Sequence, residues 1–292
     1  GIAEELLRLA HQQSEASYLI GAHRALGSDR FFSGEFNKSL FHQKKVLALY
    51  EPKQHENLAF IYWTDPRVHC SSFVPVILWL LGFPEQALQR SHKALALAYD
   101  SSHSHTLAIA LFMGLWPHFF RRDTHRTQKQ AETLMEFSTE QNFPLWVGGG
   151  NFFRSWALAM EKQEEEAINH MRQAASTMFA TGMKQLQQSF HALLAEILGN
   201  LGKPEEGLHE LTKALELANE TGERWWEAEI YRLKGELLQA LSVADQGEVE
   251  TCFHQALDVA RRQQAKSLEL RASMSLSRLW QIQGKRTEAR KL

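Results

Sequence analysis

A short turn followed by a helix returns along this 292-residue chain at multiples of about 40 residues, and no other feature constrains the fold as strongly. Gly82-Phe83-Pro84-Glu85-Gln86-Ala87, Gly202-Lys203-Pro204-Glu205-Glu206-Gly207 and Gly284-Lys285-Arg286-Thr287-Glu288-Ala289 stand 120 and 82 residues apart. Intermediate units fall where the period places them, at Arg122-Asp123-Thr124 and Lys162-Gln163-Glu164-Glu165-Glu166-Ala167. In the helix after each turn a second small residue follows the first by seven positions: Ala87/Ala94, Ala167/Ala174 and Gly207/Ala214. Seven residues make two helical turns, so both small side chains share one face and admit a neighbouring helix closely. Gly82, Gly202 and Gly284 suit the position just past a helix end, and Pro84 and Pro204 suit the first turn of the next helix.

Helix therefore alternates with helix. First helices are expected at 14–32, 67–81, 103–121, 144–161, 184–201, 224–241 and 267–283. Second helices are expected at 35–50, 84–100, 124–141, 164–181, 204–221 and 246–264. No stretch sustains period-two alternation of β-branched residues, which predicts essentially no sheet. The expected fold is all-α, a right-handed superhelical solenoid of antiparallel helix pairs running as one array over 1–292. Residues 51–66, with Pro52 and Pro66, break the period and read as an irregular insert or long loop. Residues 2–12 read like a second helix without a first, and Leu292 falls barely inside another second helix. Solenoids need polar end caps, so this pattern predicts a fragment of a longer multidomain chain.

Composition narrows the function classes. Thirty-two Lys+Arg against 34 Asp+Glu give a formal charge of -2, which argues against a nucleic-acid or membrane-surface binder. Two cysteines 182 positions apart, Cys70 and Cys252, exclude a disulfide framework and a zinc ribbon. With no apolar run of ~18 residues and no secretory leader pattern, a cytoplasmic location is expected.

The Gly-x-x-x-x-Ala turn and the Ala-x6-Ala helix resemble the tetratricopeptide repeat in a long variant of about 40 residues, with HEAT repeats the rival of similar length. The small pair seven apart favours the tetratricopeptide form. A more specific resemblance rests on Thr221-Gly222-Glu223-Arg224-Trp225-Trp226-Glu227-Ala228-Glu229-Ile230-Tyr231-Arg232-Leu233-Lys234-Gly235-Glu236-Leu237-Leu238, on Cys252-Phe253-His254-Gln255-Ala256-Leu257-Asp258-Val259-Ala260-Arg261-Arg262-Gln263, on Asp65-Pro66, on Trp79-Leu80-Leu81-Gly82 and on Gln141-Asn142-Phe143-Pro144-Leu145-Trp146. These segments look like the C-terminal array of bacterial signalling proteins that carry an adenylate/guanylate cyclase domain and a STAND-type predicted ATPase. The resemblance implies a regulatory array whose catalytic domains lie elsewhere in the parent chain. No Gly-x-x-x-x-Gly-Lys-Ser/Thr phosphate loop occurs here, and Gly148-Gly149-Gly150 is not followed by Lys-Ser/Thr.

Other constellations read as structure before chemistry. His103-Ser104-His105, with His69 and His92, lacks a zinc-binding spacing and reads as a cap or solvated turn. Cys70 and Cys252 read as buried small hydrophobes. Glu161, Glu164, Glu165 and Glu166 read as a solvated helix start, and Arg121-Arg122 and Arg261-Arg262 as helix-end charges.

The groove of the array is the expected site. Counted back from the second helices, the family's inward-facing positions include Trp79, Phe112, Trp116, Phe119, Phe152 and Trp156 in the first half. The second half contributes Glu196, Asn200, Glu229, Arg232, Glu236, Arg271 and Arg278. An aromatic half suits a peptide with apolar anchors; the competing structural reading is that these rings fill a tightly wound superhelix. The expected function is a non-catalytic protein- or peptide-binding regulatory module, with sibling domains of the same chain among its partners, and with no metal or cofactor. The alternative is a small-molecule inducer sensor, and an enzyme is third because the groove charges are spread over three repeats.

Overall fold

A computed structural model of the chain describes residues 1–13, 15–162, 165–241 and 245–291. The first half contains α1 (Ile2–Gln13), α2 (Ala16–Phe32), α3 (Phe36–Leu49), α4 (Pro52–His55), α5 (Leu58–Tyr62), α6 (Pro66–Leu80), α7 (Pro84–Tyr99), α8 (Ser104–Phe120) and α9 (Thr124–Glu140). The second half contains α10 (Pro144–Lys162), α11 (Glu166–Ala180), α12 (Gln187–Asn200), α13 (Pro204–Thr221), α14 (Glu227–Gln239), α15 (Gln246–Arg262), α16 (Lys266–Ile282) and α17 (Arg286–Lys291). No strand occurs among the described residues. Each first helix packs on its own second helix and on the next first helix, as α6 does on α7 and α8, which is a right-handed solenoid of antiparallel pairs.

The repeat is written into the backbone at its turns. Gly82, Gly202 and Gly284 take φ of +95°, +73° and +77°, the left-handed conformation that closes a helix end. Arg122 occupies the same slot 40 residues after Gly82 with φ +58°. Gln163 and Glu164 of the fourth turn, and residues 242–244 of the sixth, lie outside the described residues. The paired small residues Ala87/Ala94, Ala167/Ala174 and Gly207/Ala214 are all buried. A Cβ at Gly207 would stand 3.0 Å from the Ala195 carbonyl, so the small residue sets how closely α12 and α13 approach.

The glycine run excluded as a phosphate loop has a packing role in α10. Successive helical positions point about 100° apart, so Gly148, Gly149 and Gly150 face three different neighbours. A Cβ at 148 would lie 3.0 Å from the Ala174 carbonyl oxygen and from the Met178 amide nitrogen of α11. At 149 it would meet the Phe112 ring of α8 at 2.8 Å, and at 150 the Ala131 carbonyl of α9 at 3.0 Å. Three helices thus crowd one turn of α10.

The insert 51–66 is folded and not a long loop: it holds α4 and α5. Tyr50 Oη donates to Asp65 Oδ2 at 3.0 Å, and the Asp65 carboxylate caps α6 by accepting from the Arg67 and Val68 amides. His103 is the N-cap of α8, its Nδ1 accepting from the Thr106 amide at 3.3 Å. Cys70 and Cys252 are buried, and burial pushes both thiols upward. No helix among the described residues is long and apolar enough to cross a membrane.

The winding is tight enough for the first and last units to meet. The Arg224 and Trp225 amides both donate to the Phe32 carbonyl, at 2.7 and 3.2 Å. Asn37 Nδ2 donates to Gln264 Oε1 at 2.5 Å, and Ser267 Oγ to the Trp79 carbonyl at 2.5 Å. One turn of superhelix therefore closes along a seam between α6 and α16.

Candidate functional site

Closure changes the fate of the aromatic half. Phe112, Trp116, Phe119, Phe152 and Trp156 are no more than 1% exposed, and Trp79 is 7% exposed. They are packed ring on ring: Phe119 edges onto Trp156 at 4.7 Å, Phe112 lies tilted against Trp146 at 5.2 Å, and Phe152 stacks on Phe190 at 4.0 Å. Trp225 and Trp226, in the turn before α14, enter from the opposite side of the superhelix. Trp225 meets Trp116 at 5.2 Å and Phe31 of α2 at 5.1 Å, and Trp226 stacks near Phe120 at 5.6 Å. The open aromatic trough suggested by spacing is therefore a sealed interior, as the competing reading held. Five of its six rings offer a partner no surface.

Five of the seven residues of the charged half, Glu196, Glu229, Arg232, Glu236 and Arg271, converge into one network. Glu229, 2% exposed, accepts from Arg232 at 2.7 and 2.9 Å and pairs with Arg271 at 2.7 Å. Arg232 also pairs with Glu236, whose carboxylate accepts from Ser275 Oγ at 2.8 Å. Arg122 forks onto Glu196 through both terminal nitrogens, one at 2.8 Å, and its guanidinium lies 5.3 Å from the Phe119 ring and 5.6 Å from Trp156. Burial pushes the Glu229 carboxyl up, but Arg232, Arg271 and Arg122 outweigh it and hold the group at about 2. Arg232 is raised above its usual value by Glu229 and Glu236 against the pull of burial. Asn200 stands outside the network, exposed, with Nδ2 3.4 Å from Met160 Sδ.

An open cleft of about 490 Å³ lies where the two halves meet at the seam. Trp79 and Phe120 stack at 4.1 Å in its lining, and Leu270 and Met274 of α16 face it with their side chains largely exposed. Arg122, Arg232 and Arg271 reach it from the network. Arg278 completes the lining, exposed and in no ion pair among the described residues. The spacing argument thus places four of its residues here: Trp79, Arg232, Arg271 and Arg278. No group of three or more His, Cys, Asp or Glu able to hold a metal occurs among the described residues.

Three participants were hidden from spacing. Arg122 read as a helix-end charge, yet it is the half-buried link between aromatic and charged halves. Its signal was available: it fills a slot that other units give to glycine, and a left-handed arginine costs about 1 kcal/mol. Trp225 and Trp226 fell within a helix expected from residue 224, whereas α14 starts at Glu227 and leaves them in a turn.

No family model matches the chain. An uncharacterized protein of Rhizobium meliloti (strain 1021) is 24% identical over 243 residues, which is 83% of this chain and 24% of that protein. The chain thus spans about a quarter of the length of this curated relative. Among solved structures, the apo form of RapI matches with a TM-score of 0.57 at 12% identity, covering 93% of this chain and 94% of that one. Aspartyl phosphate phosphatase F from Bacillus subtilis matches with a TM-score of 0.58 at 11% identity, covering 100% of this chain and 73% of that one. At such identities the likeness is one of fold, and that fold is the tetratricopeptide-like helical solenoid.

Proposed function

We propose that this chain is a protein-binding regulatory module without catalytic chemistry of its own, and that its partner is an acidic, apolar-anchored peptide segment seated in the seam cleft. The observation that carries this reading is the cleft itself. Its apolar surfaces are Trp79, Phe120, Leu270 and Met274, and Arg278 adds a solvent-facing cation. Apolar anchors in a partly desolvated pocket supply affinity, and the unpaired cation selects a carboxylate. The solenoid neighbours support an interaction role. The resemblance to arrays of cyclase–ATPase signalling proteins extends the proposal: the segment belongs to a sibling domain, and its binding gates that domain's output by favouring one of two conformations.

The test titrates the remaining domains of the parent protein into the array and follows Trp fluorescence. Saturable binding, weakened about tenfold or more by Met274→Asp or Arg278→Glu, supports the proposal. Absence of binding, together with unchanged nucleotide turnover after deletion of the array, refutes it. One observation favours a second reading, a small-molecule sensor: about 490 Å³ lies within the range of small-ligand pockets. A thermal-shift screen separates the two, because a metabolite that stabilises the isolated array needs no partner domain.

A further inference from the structure

A cavity of about 300 Å³ opens between α10, α11, α12 and α13 and shares no lining residue with the seam cleft. Its apolar wall is aromatic. Phe179 of α11 is half-buried and lies against Phe190 of α12 at 5.5 Å between ring centroids, and Phe190 in turn stacks on Phe152. Ala175 stands one helical turn before Phe179, and its small side chain leaves the space beside that ring. An apolar cavity of about 150 Å³ accepts a benzene ring, so this one holds a single ring with its substituents.

The rest of the lining is polar, and its hydrogen bonds are specific. His191 of α12 donates from Nδ1 to Glu210 Oε2 of α13 at 2.7 Å. A carboxylate can only accept, which assigns the proton to Nδ1 and makes Nε2 of the neutral ring an acceptor. That nitrogen has no hydrogen-bond partner among the described residues. Glu210 is 5% exposed; burial pushes its carboxyl up, but His191 and Lys213 outweigh it and hold the group at about 2.

The charges do not balance within the cavity. Lys213 lies 3.3 Å from Glu210 Oε1 and Arg172 lies 4.0 Å from it, and both cations remain more than a third exposed. Arg172 also reaches Glu206 at 3.4 Å, an exposed pair that solvent screens. Glu210 is the one acidic residue among the described lining residues, so two cations face one carboxylate beside an aromatic wall. His191 and Lys213 hold different oxygens of that carboxylate. Acceptor and cation therefore stand to either side of it, as hydroxyl and carboxylate stand at opposite ends of a para-substituted ring.

We propose that this cavity binds a small phenolic acid: its ring packs on Phe179, its hydroxyl donates to His191 Nε2, and its carboxylate faces Lys213 and Arg172. The site goes beyond the peptide-binding reading of the seam cleft and stands independently of it.

A ligand-observed NMR titration of 4-hydroxybenzoate into the 292-residue chain at pH 7 tests the site. Saturable one-to-one binding with a Kd of about 1 mM or tighter is expected. Benzoate lacks the hydroxyl and phenol lacks the carboxylate, and each binds about tenfold more weakly. Ser176 lines the cavity and is exposed, so Ser176→Trp fills the space without disturbing the core and abolishes binding. His191→Asn keeps a donor for Glu210 and removes the Nε2 acceptor, so it erases the preference for 4-hydroxybenzoate over benzoate with an unchanged circular dichroism spectrum. Lys213→Gln shrinks the preference over phenol. Absence of saturable binding, or equal binding of benzoate and 4-hydroxybenzoate to the wild-type chain, overturns the proposal. Binding that survives Ser176→Trp but is lost in Met274→Asp assigns the acid to the seam cleft and overturns it as well.

Discussion

Glu229→Gln isolates the electrostatics that hold the inner wall together. The side chain is nearly isosteric, so packing is kept and only the negative charge between Arg232 and Arg271 is lost. In the folded chain the carboxyl titrates at about 2, against 4.5 for the unperturbed group. A shift of that size corresponds to about 3 kcal/mol of stability at neutral pH, the lower end of what breaking a buried ion pair costs. The sign follows from the direction: the unfolded chain takes up the proton first as pH falls, so the contribution is complete well above pH 4.5 and lost as pH drops towards 2. At pH 3 about 1.5 kcal/mol of it remains. Urea unfolding followed by far-UV circular dichroism at pH 7 and pH 3 tests this. Gln at 229 costs about 3 kcal/mol at the higher pH and about half that at the lower. A penalty below 1 kcal/mol at pH 7, or one that does not change between the two pH values, refutes the claim that Arg232 and Arg271 hold this carboxylate charged.

Arg122→Gly relieves a left-handed residue, worth about 1 kcal/mol, and leaves Glu196 without its bidentate partner, which costs about 3 kcal/mol; the net loss of about 2 kcal/mol appears as a lower urea midpoint. A midpoint at or above wild type refutes the link assigned to Arg122. Gly148→Ala gains about 1 kcal/mol of helix propensity but forces a Cβ within 3.0 Å of backbone atoms of α11, so unfolding becomes easier by about 1–2 kcal/mol net. A stabilised variant in thermal denaturation contradicts the close approach.

The helix pairs were legible because their signals are local. A small residue, a left-handed turn and a proline at the first turn each act within a few residues, and the 40-residue period repeats them. Hence α7 and α13 begin at Pro84 and Pro204, as expected. The fate of the groove was not legible in the same way. Whether Trp116 faces solvent or Trp225 depends on rotation accumulated over several units, and no spacing within one repeat encodes that sum. The charged residues were found but not their grouping: Glu196, Glu229, Arg232 and Arg271 come from three units and meet only after winding. The insert was recognised by its two prolines, yet its helices were missed because α4 and α5 span only four and five residues, too short for a periodic signal.

Closure also decides which surface a partner can use. Reaching the aromatic interior means withdrawing Trp225 and Trp226 from Trp116, Phe31 and Phe120. Re-exposing two buried indoles costs about 5 kcal/mol, a factor of several thousand in apparent affinity for any ligand that needs the open state. The seam cleft carries no such penalty, because Leu270, Met274 and Arg278 already face solvent. It also abuts the contacts that keep the turn closed, including the Ser267 bond to the Trp79 carbonyl. A ligand on Trp79 and α16 bridges both sides of the seam, so it binds the closed form better than any form in which they separate. Differential affinity of that kind is what the proposed gating requires.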